Sequence, residues 1–171
     1  MSTPDVARPT TDTAVFPSRA LKPVPSFIFT VPHGWVLDES PDAIAVVRPP
    51  EPLDGFWVNV LVSTDRVART VDLEQAAAVT LKRLQRDQPD AEVRLSKVAK
   101  FGRRIVFLRA VEVTSPKDGR KLAQIQAMFF APTDGPGKTH DFFQILGTCP
   151  LPALDTIGPE VIGVVSSFRF V

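Results

Sequence analysis

The chain has 171 residues, with 20 basic and 19 acidic side chains, 44% hydrophobic residues and 23% charged residues. This is ordinary globular usage at near-neutral charge; it excludes wholesale disorder and argues against nucleic-acid binding by bulk charge. A single cysteine, Cys149, excludes an internal disulfide and a cysteine-cluster metal site, and no apolar run reaches the roughly 18 residues of a membrane span.

Residues 1–25 hold Pro4, Pro9, Pro17, Pro23 and Pro25 among Thr, Ser, Ala and Asp, with apolar residues scattered at no period. Such a segment cannot repay its ordering entropy and is expected to be a disordered tail. It lacks the basic start, apolar stretch and small-residue cleavage site of a secretory leader, so a cytoplasmic location is expected. The tail carries three basic and two acidic residues, which leaves 26–171, the expected single domain, neutral by count.

From Ser26 to Val31 the residues Phe27, Phe29 and Val31 alternate with Ile28 and Thr30, a short strand. Pro32-His33-Gly34 then turns the chain into Trp35. Ile44–Arg48 reads as a second strand, stopped by Pro49 and Pro50, and Phe56–Ser63 as a third. Asp72 followed by Gln75 has capping-box spacing and opens a helix whose apolar stripe is Leu73, Ala77, Leu81 and Leu84; Pro89 stops it. Strands follow near Val93–Phe101, Arg104–Thr114, Lys121–Ala131 and Phe142–Thr148, with Asp118-Gly119 turning the second into the third. Thr156 is expected to cap a last helix with Pro159 in its first turn, and Val161, Ile162, Val165 and Phe168 facing inward.

The strand 104–114 is apolar on both sides: Ile105, Phe107, Val111 and Val113 on one, Val106, Leu108 and Ala110 on the other. It must be covered on both. The expected fold is therefore α+β, an antiparallel sheet flanked by helices.

Chemistry-bearing residues are sparse. Gly135-Pro136-Gly137-Lys138-Thr139 echoes a phosphate loop, but position 132 is proline and a strand follows where the motif needs a helix. Cys149, His140 and Asp141 have the residue types of a nucleophile, base and orienter. His140 and Cys149 lie at opposite ends of one strand, roughly 30 Å apart, too far to cooperate. His33 with Asp38 and Glu39 is a weak metal set. From Arg94 through Lys97, Lys100, Arg103 and Arg104 to Arg109 the chain is basic, with Phe101 and Phe107 interleaved. That pattern suits an anionic partner better than nucleic acid, given the acidic balance elsewhere. Arg109 shares a face with Ile105 and Phe107, so it is at an open end of that face or is paired. Gln124, Gln126 and Gln144 interrupt apolar strands and need partners if buried, or else line a groove.

The strand ending in Val31-Pro32-x-Gly34-Trp35, the helix from Asp72, the meander around Gly102 and Gly119, and the closing Ser166-Ser167-Phe168-Arg169-Phe170 together resemble the Mog/PsbP-like fold. The resemblance is to the actinobacterial LpqN/LpqT lipoprotein family in particular, over roughly 140 residues. The chain departs from that pattern in having neither signal peptide nor lipobox cysteine. The resemblance implies an α/β/α sandwich without catalytic content, in the company of a photosystem subunit, a Ran-binding factor, envelope lipoproteins and secretion chaperones. The expected function is a non-catalytic binding or accessory module for a protein partner or an apolar, lipid-like ligand, with no cofactor, metal or nucleic acid. A secretion-type adaptor chaperone, a homodimeric structural protein and a small hydrolase are the alternatives. The expected contact residues are Trp35, Phe56 and Trp57, beside the 132–140 loop, with Arg109, Gln124 and Gln126.

Overall fold

The computed structural model describes residues 22–133 and 135–171; of the tail expected over 1–25, residues 1–21 lie outside that range. The elements in order are β1 (Phe27–Ile28), β2 (Val36–Ser40), β3 (Ala43–Arg48), β4 (Asn59–Ala68), α1 (Leu73–Asp87), β5 (Glu92–Phe101), β6 (Arg104–Thr114), β7 (Lys121–Phe130), β8 (Thr139–Pro150), α2 (Leu154–Ser167) and β9 (Arg169–Phe170). Seven strands form one sheet in the order β2-β3-β4-β8-β7-β6-β5, and every neighbouring pair is antiparallel. Two meanders, β2–β4 and β5–β8, join edge to edge at β4 and β8, and α1 carries the chain from one to the other.

The capping box forms as its spacing predicts. The Asp72 carboxylate accepts from Gln75 N–H at 2.8 Å, and Gln75 Oε1 accepts from Asp72 N–H at 3.0 Å. Ala76 and Ala77 are buried and bring α1 close to Met128 and Phe142. The helix ends at Asp87, with Gln88 as its C-cap immediately before Pro89, as expected. Asp72→Ala is expected to cost about 1 kcal/mol, read as a fall of roughly 2–4 °C in Tm by thermal unfolding.

The opposite face of the sheet is covered by α2. Val161, Val164 and Val165, followed by Phe168, pack on Val106, Ala127, Phe129, Phe143 and Ile145. Gly147 of β8 lies directly beneath Val161; a Cβ there would come within 2.5 Å of a Val161 methyl. The helix starts at Leu154, not after Thr156, so Pro159 sits inside it. The reason is hydrophobic: Leu151, Leu154 and Ile157 close over Val58, Ala123 and Cys149, which draws the start of the helix back. A two-stranded ribbon of β1 and β9 completes this layer. Phe27 and Phe170 of the ribbon, with Phe168 at the end of α2, meet Phe129 and Phe143 edge-on, with centroids 5.0–6.2 Å apart.

Three further differences from the sequence reading have local causes. Strand β2 shows no alternation because it is an edge strand exposed on both sides, held by backbone pairing to β3 and by the Asp38–Arg48 ion pair at 2.7 Å. Strand β4 runs to Ala68, past Ser63, because it pairs along β8 all the way to Ala68–Thr139. Residues 53–56 form a tight turn closed by reciprocal Leu53–Phe56 backbone bonds, with Asp54 and Gly55 at positive φ.

Lengths decide what stays uncovered. Strand β6 has 11 residues, about 36 Å of extended chain. Helix α1 has 15 residues, only about 22 Å. Its C-terminal Leu84 reaches Val111 and Val113, and its N-terminal turn meets Phe130 and Phe142. Beyond that turn, Ile105 is left 53% exposed.

Candidate functional site

A large concave site lies at this uncovered end. The β6–β7 hairpin is paired from its turn, where Ser115 N–H donates to Arg120 O, to Phe107–Met128. In an antiparallel ladder every second facing pair exchanges both backbone bonds. Counting from Ser115–Arg120, Phe107–Met128 is such a pair and Ile105–Phe130 would be the next; it is not made. Each strand nevertheless keeps its other neighbour to its end, β6 pairing with β5 as far as Phe101–Arg104 and β7 with β8 as far as Phe130–Phe142. The sheet therefore parts along one seam.

A cleft of about 770 Å³ occupies the opening. Its apolar wall is Leu73, Phe101, Ile105, Phe130, Phe168 and Phe170, and three arginines, Arg103, Arg104 and Arg169, stand around it. Among the described residues the acid on the wall is Asp72, whose carboxylate caps α1. Arg104 is turned inward. Its guanidinium donates to the carbonyls of Val165 (2.6 Å) and Phe168 at the end of α2, and stacks 4.4 Å above the Phe129 ring. Burial pulls its pKa below the ordinary guanidinium value, and its Nε has no hydrogen-bond partner among the described residues. Arg103 and Arg169 are exposed.

Three of the residues singled out from sequence are brought together beneath α1, away from the cleft. Arg109 is 3% exposed. It donates from Nε to Gln126 Oε1 at 2.7 Å, from Nη1 to Ala77 O at 2.8 Å and from Nη2 to Thr80 Oγ1 at 2.8 Å. Gln126 in turn donates to Gln124 Oε1 at 3.2 Å. Burial pushes the Arg109 pKa down to about 10, which leaves it charged at neutral pH. The paired alternative for Arg109 therefore holds, with neutral partners in place of a carboxylate.

The aromatics separate. Trp35 and Phe56 are half-buried and wedge against Val58, Ala123 and Cys149. Trp57 is 47% exposed and lies 4.4 Å from the Arg48 guanidinium. It stands at the far end of the sheet from the cleft, since neighbouring Asn59 pairs across to Thr148 and Thr148 to Gln124. The basic run is dispersed in the same way: Arg94 is held by Glu92 and Glu112, Arg104 and Arg109 point inward, and Lys97, Lys100 and Arg103 stay exposed.

His140 and Cys149 occupy opposite ends of β8, as expected. The His140 ring stacks on Phe130 at 3.7 Å, and desolvation is the main cause lowering its pKa. Cys149 is buried, which pushes its thiol up to about 11. A thiol so placed is expected to resist a water-soluble disulfide reagent at pH 8 and to react once the chain is unfolded. Rapid labelling of the folded protein would contradict this placement. His33 is in an exposed turn. Among the described residues no cluster of three or more His, Cys, Asp or Glu could hold a metal ion, and no helix is long and apolar enough to cross a membrane.

Sequence reasoning missed the cleft because its signal is an unmade backbone pair, which no side chain announces. Ile105 is legible in the sequence as an apolar residue sharing a face with Phe107, Val111 and Val113. Its exposure follows only from the relative lengths of β6 and α1.

No protein-family model matches the chain, and no curated protein matches it by sequence. Solved structures do. The chain superposes on LpqN of Mycobacterium tuberculosis, described as involved in cell envelope biogenesis, with a TM-score of 0.70 at 13% identity, over 86% of this chain and 84% of that one. It matches the cyanobacterial PsbP of Synechocystis at TM-score 0.60 and 16% identity, covering 85% and 86%. The Saccharomyces cerevisiae Ran-binding protein Mog1p gives 0.52 at 14%, covering 85% and 90%. At these identities the likeness concerns architecture: the chain has the Mog/PsbP-like α+β fold, and LpqN is among the structures it resembles.

Proposed function

We propose that the protein is a non-catalytic binding module that holds an apolar segment of its partner or ligand in the cleft between β6 and β7. The observation that carries this reading is the wall itself: a large apolar concavity on which Ile105 stays exposed, ringed by arginines and, among the described residues, without a convergent acid–base pair. That Mog1p is a Ran-binding protein supports protein binding on this scaffold. The buried Arg109–Gln126–Gln124 chain belongs, in this reading, to the seating of α1, and Trp57 to a separate contact at the far end of the sheet.

The test uses anilinonaphthalene sulfonate, an apolar fluorophore with one negative charge. Saturable enhancement is expected with the wild-type protein, falling at least about fivefold in Ile105→Asp and unchanged in Trp57→Ala. Ile105 is exposed enough for its replacement to leave stability within about 0.5 kcal/mol. No enhancement, or equal enhancement in Ile105→Asp, would reject the cleft.

A further inference from the structure

We propose that this cleft takes an acidic peptide segment in extended conformation, its main chain pairing with the backbone groups of Ile105 and Phe130. The inference rests on the reading of the cleft as the binding site and goes on to name the occupant. Backbone direction alternates along a strand, so Ile105 and Phe130 each aim N–H and C=O across the seam, where their reciprocal pair is absent. An extended segment supplies the complementary groups, the basis of recognition by strand addition. A fatty acid would satisfy the apolar wall and the arginines but would desolvate these backbone groups without bonding them, which is costly. Alternate side chains of an added strand point the same way, roughly 7 Å apart, so one apolar side chain can settle against Leu73, Phe130 and Ile105. Charge decides the flanking residues. Arg103 and Arg169 are exposed on the rim, while Asp72, the one carboxylate there among the described residues, caps α1. Acidic flanks are attracted and basic ones repelled.

The probe is an end-blocked hexapeptide, Asp-Glu-Val-Leu-Glu-Asp, titrated into the ¹⁵N-labelled full chain and followed by amide shifts and hydrogen exchange. Dodecanoate below its micelle concentration and the peptide Lys-Lys-Val-Leu-Lys-Lys are run in parallel. The expected result is saturable shifts at Ile105 and Phe130, slowed exchange of both amides, and binding weakened at least about tenfold in Arg103→Glu/Arg169→Glu and with the lysine peptide. Cleft shifts from the acidic peptide without slowed exchange at either amide would overturn strand addition. So would shifts from dodecanoate alone; either outcome leaves the cleft standing as a binding site. Silence of the cleft toward every probe would remove the proposal together with the reading beneath it.

Discussion

Gly147→Ala is expected to lower the unfolding free energy by roughly 2–3 kcal/mol, a drop of about 4–12 °C in Tm for a domain of this size. The added Cβ would sit 2.5 and 2.7 Å from the two Val161 methyls and 3.1 Å from its Cβ. Neither side can yield easily. Gly147 lies in a central strand paired on both flanks, to Val60 and to Ile125, and Val161 is 1% exposed in the stripe that α2 presents to the sheet. Relief therefore requires α2 to lift from a layer that also contains the Phe129, Phe143 and Phe168 rings. Val161→Ala alone leaves a cavity and is expected to cost about 1–3 kcal/mol. In the double variant the new methyl occupies the space the valine vacates, so the combined loss should fall short of the sum by at least about 1 kcal/mol. Denaturant unfolding of the four proteins measures this coupling, and strict additivity would show that α2 does not bear on Gly147.

Replacing Arg109 is the second large effect. Arg109→Ala is expected to cost about 2–5 kcal/mol, from buried neutral acceptors left without their donor and from the void left by the side chain. It removes three donors at once, leaving Gln126 Oε1 without its cation and a void beneath Ala77 and Thr80. The charge itself is not the source of stability. Burial alone lowers its pKa, to about 10, and its partners are neutral oxygens. Arg109→Met combined with Gln126→Leu and Gln124→Leu removes the demand for hydrogen bonds along with the desolvated charge. It is therefore expected to unfold within about 1.5 kcal/mol of wild type. Arg109→Lys has no planar fork to reach Gln126, Ala77 and Thr80 together and should recover little of the loss. Equal damage from the triple variant and from Arg109→Ala would show that the network itself, rather than its half-satisfied remnant, sets stability.

Much of the architecture was legible because its signals are local. The capping box at Asp72 and Gln75, the stop at Pro89, the turn at Asp118-Gly119 and the two-sided apolar character of β6 lead directly to α1, the hairpin and the need for two covering layers. What escaped is non-local. Leu151 and Leu154 pull α2 forward by closing over Cys149, and β2 is held by pairing rather than by pattern. The β1–β9 ribbon joins residues from the two ends of the domain. For the candidate site the same division holds. Gln124, Gln126 and Arg109 stood out as polar groups in apolar strands, and they do meet, but as one buried chain. Arg103 and Arg104 were noticed for their charge; their place beside the cleft follows from where β6 and β7 part. Leu73 and Phe130 carried no signal beyond ordinary helix and strand positions, and Arg169 none beyond its place in the closing motif.

The opening between β6 and β7 is tested most directly by amide hydrogen exchange of the free protein, resolved by residue. Phe107 and Met128, the last reciprocal pair, are expected to exchange at least about a thousandfold more slowly than an unstructured chain, and Ile105 and Phe130 near the rate of exposed backbone. Strong protection of Ile105 and Phe130, equal to that of Phe107 and Met128, would mean that the ladder runs to the strand end and that the cleft is closed.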